Sequence, residues 1–154
     1  MTENIRKLIT DYLPKETTYL TVFVFLMPDT IWEGQFNGQS FVVIAEDRWS
    51  DSSDSNGLFL AVTEDGSVYK GDLKDQILIQ YCAASFPQFM EIMSAYYAVL
   101  KTHKSPDVWD EEGFQRCEEE EEFLRQTINQ IDSTALQDDE TFWSVLIEEI
   151  GYGF

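Results

Sequence analysis

With 154 residues, of which 44% are hydrophobic and 14% aromatic, the chain can bury a sizeable core and is too apolar to be disordered. Its 29 Asp and Glu against 10 Lys and Arg leave a formal net charge of −19. That charge repels nucleic acid phosphates and anionic membranes, and suits either plain solubility or a cationic partner.

The first residues show no signal-peptide pattern, and the longest apolar run, Tyr19–Pro28, is too short to cross a bilayer. One cytoplasmic domain over residues 1–154, with no membrane contact, is expected. In chain order, Ile5, Leu8, Ile9 and Tyr12 recur at helical spacing, and Pro14 predicts the end of that helix. Thr18–Met27, rich in β-branched and aromatic residues, predicts a single strand. Gly34–Gln39 reads as turn, Ser40–Asp47 as a second strand and Arg48–Gly57 as a polar loop. Two more strand-like runs meet at Glu64-Asp65-Gly66, a hairpin signal, and Ile77–Ser85 predicts a short buried strand.

The hydrophobic period then changes from two to about 3.6. Ser85 and Gln88 have capping-box spacing, Pro87 suits the first turn, and Phe86, Phe89, Met90, Met93, Tyr97 and Leu100 form one apolar face. His103–Asp107 ends that helix, and a second is predicted over Glu111–Ile131. The last should begin at Asp138 or Asp139, where carboxylates suit a helix N-terminus, and end before Gly151. Its buried stripe is Phe142, Val145, Leu146 and Ile150, widened by Trp143 and Ile147. The fold class is α+β: an antiparallel sheet packed by helices, with a helical C-terminal third.

Little in the sequence supports catalysis. His103 is the only histidine, and at a helix end between Lys101 and Lys104 it reads as an exposed, favourable C-terminal charge rather than a general base. There is no G-x-S-x-G and no second histidine to activate a serine. Asp51, Ser53 and Ser55 begin like a calcium loop, but Asn56 stands where glycine is needed and Val62 where a bidentate Glu is needed. Glu118–Glu122 occupy every side of a helix, so they read as a solvated face rather than a cation site. Cys82 reads as a buried thiol and Cys117 opens the acidic run; with no CxxC, this usage fits a reducing compartment. No enzyme activity, metal or cofactor is expected.

A surface is the better candidate. Residues 105–154 hold 15 acids and two bases, so the C-terminal third carries most of the negative field. Trp49 beside Asp51 and Asp54, and Trp109 and Trp143 beside the C-terminal acids, combine charge with aromatic anchors, as interfaces do. Trp49, in its Ser/Asp-rich loop, is the preferred exposed anchor; Trp143 is assigned to the core.

The order of several short motifs adds to this. Gly66-Ser67-Val68-Tyr69 is followed by Cys82-Ala83-Ala84-Ser85, the helix Phe86–Leu100, Ile131-Asp132-Ser133-Thr134-Ala135-Leu136, and Trp143–Gly151. This order resembles the SUKH superfamily, specifically its fourth group of bacterial immunity proteins. One departure is local: the Asn usual before the small-residue pair is replaced in Tyr81–Ser85. The resemblance implies a scaffold without shared catalytic residues that displays a toxin-specific surface.

Together, resemblance and charge suggest a protein that neutralises a cognate polymorphic toxin by covering a basic active site, without touching nucleic acid itself. The candidate toxin-binding residues are Trp49, Asp51, Asp54, Glu118, Glu119, Glu120, Glu121 and Glu122. The alternative is a non-catalytic interaction or regulatory module of the same superfamily with a cellular protein partner.

Overall fold

The structure, a computed structural model, describes residues 2–47 and 57–154. In chain order the elements are α1 (Glu3–Tyr12), β1 (Tyr19–Leu20), β2 (Phe23–Phe25), β3 (Trp32–Phe36), β4 (Gln39–Asp47), β5 (Leu58–Thr63), β6 (Val68–Asp72), β7 (Ile77–Ala83), α2 (Phe86–Leu100), α3 (Glu111–Ile131) and α4 (Phe142–Gly151). The class is α+β, with one antiparallel sheet and a helical C-terminal part. The chain divides into two compact units, Met1–Phe89 and Met90–Phe154, with the division falling inside α2.

In the first unit the strands run β1-β2-β4-β5-β6-β7, and β3 also pairs with β4. The long β4 takes β3 along its first half and β2 along its second, leaving its other edge to β5. Thr18–Met27 is therefore not one strand. Leu20 pairs with Phe23 around a tight turn in which Thr21 has φ +52°, a conformation that β-branched residues avoid unless pairing on both sides imposes it.

The expected turn at Gly34–Gln39 is likewise mostly strand. Only Asn37 and Gly38 turn, both with positive φ as a two-residue hairpin requires. Gly34 is glycine for a packing reason: an added Cβ would stand 2.5 Å from the Phe41 ring. That ring stacks on Phe59 at 5.3 Å, and with Leu26, Val43 and Ala61 the pair makes a core that Trp32, Phe36 and Leu78 extend. Val42, Ile44, Leu60 and Val62 are fully buried too, which is why β4 and β5 read as continuous apolar runs.

Several polar side chains in this unit are paired, some across long stretches of sequence. The Arg6 guanidinium bonds Glu33 at 3.0 Å, which holds that carboxyl below its ordinary value, and Trp32 Nε1 donates to Glu46 at 2.7 Å. At the β5–β6 turn, Asp65 accepts from the Thr63 hydroxyl at 2.6 Å and the Ser67 amide at 3.0 Å. Before α2, the Ser85 hydroxyl accepts from the Gln88 backbone amide at 3.3 Å and donates to the Gln88 side chain at 2.7 Å, so Ser85 caps the helix and the two side chains of the expected capping box meet.

The second unit is helical. α3 has the bounds its sequence predicts, with Asp110 as N-cap accepting from the Gly113 amide at 2.9 Å. α4 starts later than Asp138 or Asp139, because those residues shape the turn before it. The Asp138 side chain accepts from the Glu140 amide at 2.8 Å, and the Asp138 carbonyl accepts from the Ser144 hydroxyl at 2.7 Å. The last helix also runs through Gly151 rather than ending before it. Gly153, at φ +89°, is the stop: its amide bonds the Ile150 carbonyl and the Phe154 amide bonds Glu149, a Schellman pattern.

Trp143 is fully buried, packed edge-on against Phe142 and 5.6 Å from Tyr96, whose phenol burial pushes up to about 12. The core assignment of Trp143, Phe142, Ile147 and Ile150 holds, whereas Val145 is exposed.

Candidate binding surface

The acids of α3 are sorted by helical period, not spread evenly. Gly113, Cys117, Leu124 and Ile128 are buried and define the inner face. At about 100° per residue, Glu111, Glu112, Gln115, Glu118, Glu119, Glu122 and Gln126 fall on the opposite side, within roughly a third of the circumference. All seven are exposed. Glu120 and Glu121 fall toward the inner face and are half-buried. Of the five acids first treated as one solvated face, three therefore remain on the surface and two have internal work.

Glu121 pairs with Arg125 at 2.9 Å, one turn along. Both line a hollow of about 230 Å³ with Asp139, Ser144, Glu148 and Tyr152, where a hydrogen bond to Glu148 raises the phenol of Tyr152. Glu120 contacts His103, with Oε1 2.9 Å from Nδ1, while the other ring nitrogen, Nε2, donates to the Phe154 main-chain oxygen at 2.9 Å.

The His103 side chain is only 5% exposed, which corrects the reading of it as an open helix-end charge. Beside it Cys117 is buried, its thiol raised chiefly by burial. Between α2 and α3 lies a groove of about 690 Å³. Ala98, Val99 and Phe123 give it apolar walls, and Thr102, Lys104, Arg116, Glu119 and Glu120 give it polar ones.

Trp49, Asp51 and Asp54 lie outside the described residues. The exposed tryptophan within them is Trp109. It is 91% exposed, and Val108 before it is 80% exposed, in a short segment leading to the Asp110 cap. Asp107, Asp110, Glu111 and Glu112 surround this pair in sequence, so an apolar tip meets the N-terminal end of the acidic strip. The sequence had the signal, a tryptophan among acids, but could not tell an exposed Trp from a buried one.

A family model described as SUKH-4 immunity protein matches residues 13–149. The chain belongs to the SUKH-4 immunity protein family. That span includes the sheet, α2, α3 and most of α4, so the surface described above belongs to the matched region. No curated protein and no solved structure matched the chain in the same comparisons. Among the described residues, no helix is long and apolar enough to cross a membrane.

Proposed function

We propose that this SUKH-4 member acts in the cytoplasm as one immunity domain over residues 1–154, binding a cognate toxin and blocking it by occlusion, without catalysis. The acidic strip of α3 covers the basic surface with which a nucleic-acid-directed toxin holds its substrate, and Trp109 is the apolar anchor. The observation that carries this is the juxtaposition of a 91%-exposed Trp109 with a largely acidic helix face. Large aromatics supply much of the binding energy of interfaces, and like-signed charge around them steers the encounter.

Within the described residues the proposed contact set is Glu118, Glu119 and Glu122, with Trp109 and Val108 added; Trp49, Asp51 and Asp54, outside the described residues, stay in the proposed set. Glu120 and Glu121 serve internal contacts instead.

The test is surface-based kinetics against the toxin encoded beside this gene, over a salt series. Association should slow steeply as salt shortens the Debye length, and Trp109→Ala should mainly speed dissociation. Salt-independent association together with unchanged dissociation in Trp109→Ala would overturn this surface.

A further inference from the structure

We propose that His103, Cys117 and Glu120 form a binding site for one divalent transition-metal ion, zinc above all. The three side chains offer an imidazole nitrogen, a sulfur and a carboxylate oxygen, all within 4.8 Å of one another. Imidazole, thiolate and carboxylate are the donors zinc takes, and tetrahedral zinc holds ligand atoms about 3.3–3.8 Å apart. Small side-chain adjustments therefore bring the set to coordination distance.

The hydrogen bonds around His103 supply a second argument. Nε2 faces the Phe154 main-chain oxygen at 2.9 Å, and that oxygen only accepts, so Nε2 carries the hydrogen. In the neutral ring this leaves the lone pair of Nδ1 pointing at a carboxylate oxygen 2.9 Å away. Two acceptors at that separation repel unless a cation lies between them. At 2.9 Å that cation is a proton; a metal ion replaces it once the two atoms part to the spacing of tetrahedral ligands, with the sulfur of Cys117 as the third donor. An oxygen acceptor fixing the far nitrogen is the outer-shell arrangement that metal-bound histidines use.

Glu120 retains 23% side-chain exposure and lines the groove between α2 and α3, which gives an ion a route from solvent. Three protein ligands leave a fourth position for water. His103 and Cys117 also bracket the segment that carries Trp109, so a bound ion would close that segment into a loop and hold the anchor in place. This consequence rests on the toxin-binding reading; the metal site itself does not.

The experiment titrates zinc chloride into metal-stripped, thiol-reduced full-length protein by calorimetry, and repeats it with cobalt to read the thiolate-to-metal absorption band. One ion per chain is expected. Cys117→Ser should abolish the cobalt band, and Glu120→Gln or His103→Gln should weaken zinc binding by at least roughly tenfold. Glu120→Gln alters a partly exposed side chain and so remains informative if the other two variants misfold. Glu118→Gln/Glu122→Gln, on the outer strip, should leave zinc affinity unchanged. Absence of binding would mean that a proton alone bridges His103 and Glu120. Binding that survives Glu120→Gln but falls in the outer-strip variant would mean that the acidic face collects the ion. Either result overturns the site, and neither bears on toxin binding.

Discussion

The sheet unit and the helical unit distribute their acidic residues differently. Residues 1–89 carry 13 acids and six bases; residues 90–154 carry 16 acids and four bases in a shorter stretch. In the sheet unit, the acids with described partners are tied down close to the fold: Glu33 to Arg6, Glu46 to Trp32, and Asp65 and Asp72 to their own turns. In the helical unit, Glu120 and Glu121 are similarly engaged, but a strip from Glu111 to Glu122 faces solvent. Acidic residues that shape turns are explained by the fold. A strip that leaves the inner contacts of its own helix untouched, beside a bare tryptophan, is not explained by the fold, and the proposed function assigns it to a partner.

The largest expected effect checks whether the helical unit has a core of its own. Trp143→Ala should cost about 3–5 kcal/mol by chemical denaturation, because a fully buried indole packed on Tyr96 and Phe142 leaves a cavity. An unchanged midpoint would mean that α4 is dispensable to folding, and the comparison between the two units would collapse.

A pair of glycines tests the units side by side. At Gly71 in β6, an added Cβ meets the ring of Phe59, which is stacked on Phe41 and cannot yield. Gly71→Ala should cost about 1–3 kcal/mol through overpacking. At Gly151 in α4, the main obstacle is the Glu121 carboxylate, the far end of a flexible side chain, and the Glu121 Cβ at 3.2 Å need give only a few tenths of an ångström. Gly151→Ala forfeits the Glu121–Arg125 pair, worth under about 1 kcal/mol, and gains up to about 1 kcal/mol of helix propensity. Its midpoint should therefore move little. Equal losses at both sites would show that Glu121 is held as rigidly as the aromatic stack.

A smaller effect belongs to Asp65. The Thr63 hydroxyl, with the Ser67 amide second, holds this carboxyl below its ordinary value. A lowered folded-state value means that the contribution to stability is present at neutral pH and is lost as pH falls through that value. The stability gap between the wild type and Asp65→Asn, from urea curves at several pH values, should shrink below about pH 4. A gap that does not narrow would assign the turn's stability to its backbone bonds alone.

The order of elements was largely legible in the sequence, because α1, α3 and the β5–β6 hairpin announce themselves by period, Pro14 and Glu64-Asp65-Gly66. What was missed was set by contacts distant in sequence. β2 is aligned by Asp47, Glu46 and Ala45 on β4, and that pairing forces the turn at Thr21. Gly34 looked like a turn signal, and only the ring of Phe41 explains it. His103, Cys117 and Glu120 share no motif spacing, so nothing before the fold could join them. The sorting of Glu118–Glu122 was within reach, since Cys117, Leu124 and Ile128 mark an inner face at helical spacing, but treating five consecutive acids as one patch obscured it.

The smallest expected effect on stability carries the most about function. Glu118→Gln, Glu119→Gln and Glu122→Gln together remove three charges from the outer strip while preserving side-chain volume. None of the three lies on the buried face, so the denaturation midpoint should stay within about 0.5 kcal/mol of wild type, or rise as like charges are relieved. The same variant should associate more slowly with the neighbouring toxin and show a shallower salt dependence, with little change in dissociation. A matched change at the inner positions, Glu120→Gln with Glu121→Gln, should do the reverse: disturb the His103 and Arg125 contacts and leave association nearly intact. If both pairs of measurements move together, the helix is not divided into a face for folding and a face for binding, and its negative charge serves solubility alone.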